Sequence, residues 1–171
     1  MVIFAVIFVI ALAIDLVTKW TLTPGSPFQI IPGIISGFPA RNFGIAFSWL
    51  ENVPSWSLAL MSGSLLVIAL GIYVFERRRI KKLRGKAPVV MDVGFALFFA
   101  GGLGNLICRI GFGYVRDFLV FDFWPGHPIF NFADVFINVS LVFLVTYIIF
   151  FSSAKKIKNI TQEESDGTNQ S

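Results

Sequence analysis

The chain has 171 residues, of which 56% are hydrophobic, 14% charged and 20 are phenylalanine, with a mean hydropathy of +0.77. Soluble domains hold about 45–50% apolar residues, so this composition excludes an ordinary water-exposed fold and points to a membrane protein. The net charge is +4, and the single cysteine and single histidine exclude an intrachain disulfide and any site needing two histidines, so neither metal chemistry nor a cofactor is expected.

A hydrocarbon layer about 30 Å thick takes about 20 helical residues, and four runs of that length are present. The first, "VIFAVIFVIALAIDLVTKW" at 2–20, is apolar through Ile14 and then polar at Asp15 and Lys19. No basic residue precedes it and no small-residue cleavage pattern follows, so it is expected to be a retained span. Next comes an external segment, about 21–55, whose "PFQIIPGIISGFPARNFGIAFSWLENVP" mixes β-branched and aromatic residues with Gly and Pro at short intervals. That pattern suits short strands and turns, and the segment is expected to fold onto the outer leaflet.

The second span is 56–75, and it leads into "ERRRIKKLRGKAP", which holds seven Lys and Arg. The third, 89–107, is interrupted by Asp92 and ends in a glycine-rich turn at Gly101, Gly102 and Gly104. Small residues there suit close helix packing, and Asp92 is expected to complement the positive end of its helix. A second external segment covers about 108–132. It contains Asp117, Asp122, and His127 between two prolines, read as a loop residue near the headgroups. The fourth span, 133–151, is followed by "AKKIKN" with three more lysines and by a polar tail. The expected organisation is one four-helix membrane domain over 1–152 and a disordered tail over 153–171. Basic loops stay cytoplasmic, which places both termini inside and the two other connections outside. The basic runs are read as topology and lipid contacts, with no nucleic-acid partner.

By this orientation Asp15, Lys19, Asn105, Arg109, Asp117, Asn131 and Asp134 gather at one depth, the outer interface. Ionisable groups in a membrane must find partners or water and are functional candidates by default. Asp15 and Lys19 share a helix face and are spaced to pair. Asn105, Cys108 and Arg109 fall at i, i+3 and i+4, and Asn131, Asp134 and Asn138 at i, i+3 and i+7. Two interacting carboxylates cannot both be charged at low cost, so one keeps a proton while the other stays ionised. Such a pair can activate a water against an amide carbonyl and protonate the leaving nitrogen. Asp117 and Asp134 are the candidates, with Asn105, Arg109 and Asn131 as orienting groups and Asp122 as a lesser acid.

These residues carry a resemblance. "DLVTK" at 15–19, "RNFGIAF" at 41–47, "GGLGNLICR" at 101–109, "GYVRDF" at 113–118 and "FNFADVF" at 130–136 stand in the order and spacing of the bacterial lipoprotein signal peptidases, or type II signal peptidases. The resemblance covers about residues 10–150. It implies a membrane all-α fold of four transmembrane helices with a small external β-sheet. The implied activity is an aspartyl endopeptidase that cuts prolipoprotein signal peptides before a diacylglyceryl-modified cysteine. Asp117 and Asp134 match the family's catalytic pair. Asn42, Asn105, Arg109 and Asn131 match its polar surround, Asp15 and Lys19 its first-helix motif, and Gly44 and Phe47 its external loop. The expected partners are the lipid-modified prolipoprotein and membrane lipids, the chain is expected to be a monomer, and the location implied is the bacterial inner membrane with the site facing outward.

One position departs from the pattern. Where the family reads G-N-x-x-D-R this chain has "GNLICR", so Cys108 replaces an acid beside Arg109, which raises the alternative of a divergent member with reduced activity. A small ion or proton carrier using Asp15, Lys19 and Asp134 is the reading from another class. It calls for polar groups through the full depth of the membrane, and the inner halves of the spans are almost wholly apolar apart from Asp92, Ser62 and Ser64. A Ser-Lys protease is disfavoured because Lys19 is matched by Asp15.

Overall fold

The computed structural model describes residues 2–23, 25–44, 53–80 and 86–152. Phe47, much of the basic connection after the second span and the tail from 153 lie outside the described residues. Four helices, α1 (Val2–Leu22), α2 (Ser55–Arg79), α3 (Lys86–Phe112) and α4 (Phe132–Thr146), are joined by four strands, β1 (Phe28–Ile31), β2 (Ile35–Asn42), β3 (Val115–Phe121) and β4 (Ile129–Phe130). A π-helical turn, Tyr147–Ser152, carries α4 onward. All four helices are long and apolar enough to cross a membrane, the last counted through Phe151. The first three helices run a few residues beyond the spans expected from composition, and the fourth span, counted through Phe151, begins one residue earlier than expected.

The helices turn much of their apolar surface outward, with Val67, Ile110 and Val142 among the most exposed. Lipid chains can cover such a surface and water cannot. Only α3 is half buried, and it packs against all three others. Its glycines make that centrality possible. A Cβ at Gly101 would collide with the Ala133 carbonyl of α4, one at Gly102 with Leu66 of α2, and one at Gly104 with the Asp15 carboxylate of α1. The small-residue packing anticipated for this stretch is therefore present, and at Gly104 it seats a functional candidate.

The sheet is antiparallel in the order β1-β2-β3-β4, so the two connections on this side of the bundle contribute two strands each. The first was expected to supply strands. That the second does so through "VRDFLVF" was not anticipated, since its apolar run alone does not distinguish a strand from a short helix. Gly113, at φ 77°, ends α3 in the left-handed conformation that glycine adopts without strain. Its N–H reaches the Arg109 carbonyl at 3.0 Å, and the chain turns directly into β3. Register then pairs Ala40 with Asp117 and Asn42 with Val115, which places Asp117 over the ends of the helices.

At the opposite end, Ala69, Tyr73, Ile80, Met91, Phe95 and Tyr147 form the main apolar core. Asp92 lies there, but not as expected. α3 begins at Lys86 with no acid in its first turn, so Asp92 sits beyond the reach of the helix terminus. It instead meets Arg77 at 3.2 Å and accepts from the Tyr73 hydroxyl at 3.1 Å.

Candidate active site

The sequence "NFAD" starts α4 as a capping box. Asn131 is the N-cap: its side-chain oxygen accepts from the Asp134 N–H at 3.1 Å, while the Asp134 carboxylate accepts from the Asn131 N–H at 3.1 Å. This reciprocal arrangement satisfies two free donors of the first turn. It also explains why an acid stands at the entrance of an apolar helix. Asp134 uses one oxygen for the cap and keeps the other, Oδ1, for the Asn105 amide of α3 at 2.9 Å.

Asn131 also links the two aspartates. Its Nδ2 donates to Asp117 Oδ1 at 2.6 Å and lies 3.2 Å from Asn105 Oδ1 and 3.3 Å from the Arg116 carbonyl. The second Asp117 oxygen accepts from Asn42 Nδ2 at 2.9 Å. Asn42 presents that nitrogen because its own oxygen accepts from the Gly44 N–H at 3.0 Å. Arg109 holds the same loop by donating to the Gly44 carbonyl at 3.1 Å, within electrostatic reach of both aspartates.

Asp15 and Lys19 form the ion pair anticipated from their spacing, 2.7 Å apart and almost fully buried. The pair reaches further than spacing alone implies. Lys19 Nζ donates to Asn105 Oδ1 at 2.8 Å, so the Asn105 oxygen is occupied and its NH₂ faces Asp134. Asp15 accepts from the Ala133 N–H at 2.9 Å, one residue before Asp134. That contact was not foreseen; the signal available was the small residue at 133, which lets α1 and α3 approach the start of α4.

Asp117 is 2% exposed. Burial, and next the charge of Asp134, push its carboxyl up from the ordinary 3.8 to about 7, against the amide hydrogen bonds from Asn42 and Asn131 and the charge of Lys19. Asp134 is only half-buried. One aspartate is therefore poised to hold a proton near neutrality and its neighbour is open to an incoming group.

The remaining candidates divide. Asn138 donates to the Asp134 carbonyl at 2.9 Å from an exposed position. Cys108 is buried and has a free thiol. Asp122 lies in the turn after β3, where it accepts from Ser36 of β2 at 2.6 Å. His127 lies in the loop before β4, as read from its prolines. Ser62 bonds to the Leu58 carbonyl of its own helix. Two apolar clefts flank the network. One of about 910 Å³ runs between α2 and α3 past Trp56, Leu60 and Leu106 to Arg109. The other, about 420 Å³, lies under Trp124 and Phe130 and ends at Asp134.

Residues 7–150 match the family described as signal peptidase (SPase) II. The chain is 35% identical to the lipoprotein signal peptidase of Gloeothece citriformis over 83% of this chain and 86% of that one. It is 32% identical to the lipoprotein signal peptidase of Fusobacterium nucleatum over 91% and 92%. A solved bacterial membrane enzyme superposes with a TM-score of 0.71 at 26% identity, covering 89% of this chain and 90% of its own. A second solved bacterial membrane enzyme gives 0.66 at 27% identity, covering 86% and 93%. Nothing in these comparisons supports the ion-carrier reading.

Proposed function

The chain belongs to the signal peptidase II family of aspartyl membrane peptidases, and within that activity we propose that Asp117 and Asp134 are the catalytic pair. The observation that carries this reading is Asn131, which donates to Asp117 through its side chain at 2.6 Å and to Asp134 through its backbone at 3.1 Å. A single residue thus holds two carboxyls from separate segments beside each other.

Asp117 keeps the proton of the pair at rest, because burial and the neighbouring charge raise it to about 7. Asp134, open on one side, takes a proton from a water that attacks the scissile carbonyl. Asp117 donates its proton to the carbonyl oxygen as it becomes tetrahedral; Asp134 then passes the proton it took from water to the departing nitrogen, and collapse of the gem-diol to the acid returns a hydroxyl proton to Asp117. Asn42, Asn105 and Asn131 fix the carboxyls in place. Lys19 fixes Asn105, and Arg109 fixes the Gly44 loop. The apolar clefts ending at Arg109 and Asp134 suit a substrate that brings hydrocarbon with it, such as a diacylglyceryl-modified prolipoprotein cut just before its lipidated cysteine. Such a substrate reaches the site by lateral diffusion while its acyl chains stay in the membrane. The basic connection after α2 and the basic residues after α4 put both termini in the cytoplasm and the sheet on the outer face.

The test is processing of a diacylglyceryl-modified prolipoprotein by the purified protein in detergent. Asp117→Asn and Asp134→Asn are each expected to lower the rate by about 10²–10⁴ or more while the proteins remain folded. Processing that survives either substitution at the wild-type rate removes the pair from the mechanism.

A further inference from the structure

The sheet bears a second group of charges on its other face. Side chains alternate along a strand, so Arg41 and Arg116 point away from the face that carries Asn42 and Asp117. Register sets Arg41 directly across from Arg116, and like charges in that position repel. Among the described residues no carboxylate pairs with either; the salt bridges involve Lys19, Arg77 and Arg79 instead. Both guanidiniums rest on aromatic rings. The Arg116 Cζ lies 3.9 Å from the Phe112 centroid and 4.4 Å from that of Trp20, and Arg41 lies 5.1 Å from Tyr114. The rings themselves form a continuous floor, with Trp20 to Phe112 at 5.7 Å, Phe112 to Tyr114 at 6.1 Å and Tyr114 to Phe43 at 5.5 Å.

We propose that Arg41 and Arg116 bind the phosphodiester of an anionic phospholipid, and so hold the sheet against the membrane. In the aromatic floor Trp20 and Phe112 stand at the ends of α1 and α3, Tyr114 lies in the turn into β3 and Phe43 follows β2, at the level where Trp and Tyr collect at a membrane surface. Trp20 is 59% exposed and Ile110, on the adjoining turn of α3, is 72% exposed, which gives an acyl chain apolar surface beside the charge. Planar guanidiniums present forked N–H donors that match phosphate oxygens. Two cations that pair with no carboxylate among the described residues favour a headgroup of net negative charge over a zwitterion, whose ammonium they would repel. An acidic peptide would meet the same charges but leave the apolar floor uncovered. Arg116 is the residue before Asp117, so a lipid held there fixes the strand that carries the buried acid. This site is independent of the peptidase reading.

The full chain, reconstituted in phosphatidylcholine nanodiscs with rising phosphatidylglycerol, is released and its retained lipids are measured by native mass spectrometry. Each of Arg41→Gln and Arg116→Gln is expected to weaken phosphatidylglycerol retention about fivefold, the double variant more, with phosphatidylcholine unaffected. Equal phosphatidylglycerol retention by the wild type and the double variant overturns the proposal. A second measurement needs no arginine variant: quenching of Trp20 emission, taken as wild type minus Trp20→Phe, is expected to be stronger with brominated phosphatidylglycerol than with brominated phosphatidylcholine. Equal quenching by the two lipids overturns it as well. Unchanged lipid retention in the double variant, together with a lost preference for substrates acidic beyond the cleavage point, would assign the pair to peptide recognition instead.

Discussion

The two ends of the helix bundle each bury carboxylates, and they treat them in opposite ways. At the end away from the sheet, Asp92 has the Arg77 guanidinium and the Tyr73 hydroxyl. Glu76 has Arg79 at 3.0 Å and the Tyr147 hydroxyl at 3.0 Å. Each acid there is matched by a cation and a phenol, an arrangement that clasps α2 to α3 and to the turn after α4. At the sheet end the cations are engaged elsewhere, Lys19 by Asp15 and Arg109 by a carbonyl. Asp117 and Asp134 are held by amides, and among the described residues neither forms an ion pair. An amide fixes a carboxylate without neutralising it. A guanidinium at the same distance would stabilise the ionised form and remove the tendency to hold a proton. The contrast separates an end built to hold from an end built to exchange protons.

After the two aspartates themselves, the largest expected effect is at Lys19. Lys19→Met leaves Asp15 buried and unpaired, and breaking a buried ion pair on one side costs about 3–5 kcal/mol. Thermal unfolding in detergent should show that loss. Processing should also fall, since Asn105 loses the donor that turns its NH₂ toward Asp134. An active, stable Lys19→Met variant would mean that the sheet end does not depend on this pair.

A pH titration sharpens the same comparison. The mechanism needs the proton on Asp117, so kcat/KM should fall about tenfold per unit as pH rises above about 7, with the apparent value belonging to the coupled pair. Stability has a matching sign. Between the ordinary 3.8 and about 7 the folded protein keeps a proton that the unfolded chain has lost. Stability therefore declines as pH rises through that window, by at most about 4 kcal/mol. Asp117→Asn should be less sensitive to pH, with its stability advantage over wild type closing as pH falls toward 4. A wild-type rate that stays flat from pH 6 to 9 would contradict the assignment of the resting proton.

The smallest effect is expected at the opposite end. Tyr147→Phe removes one hydrogen bond to Glu76 and should cost about 1 kcal/mol of stability with no change in processing. A large loss of processing there would show that the two ends are coupled and that the division drawn between them is wrong.

Much of this protein is written in local pattern. Four apolar runs determine four helices, because a helix is the element that satisfies its own backbone in lipid. The four-residue spacing of Asp15 and Lys19 determines an ion pair, since side chains at i and i+4 share a helix face. The order of the short polar motifs determines the family. What the tertiary structure alone decided are contacts between residues distant in the chain. These are Asn42 on Asp117, 75 residues apart, Lys19 on Asn105, 86 apart, the Ala133 N–H on Asp15, and the capture of Asp92 by α2 rather than by its own helix terminus. Local geometry repeats with helix and strand period and can be read along the chain. Partners across the bundle depend on strand register and on which neighbour each glycine of α3 admits; the glycines announce close packing, but no spacing in the sequence names the partner.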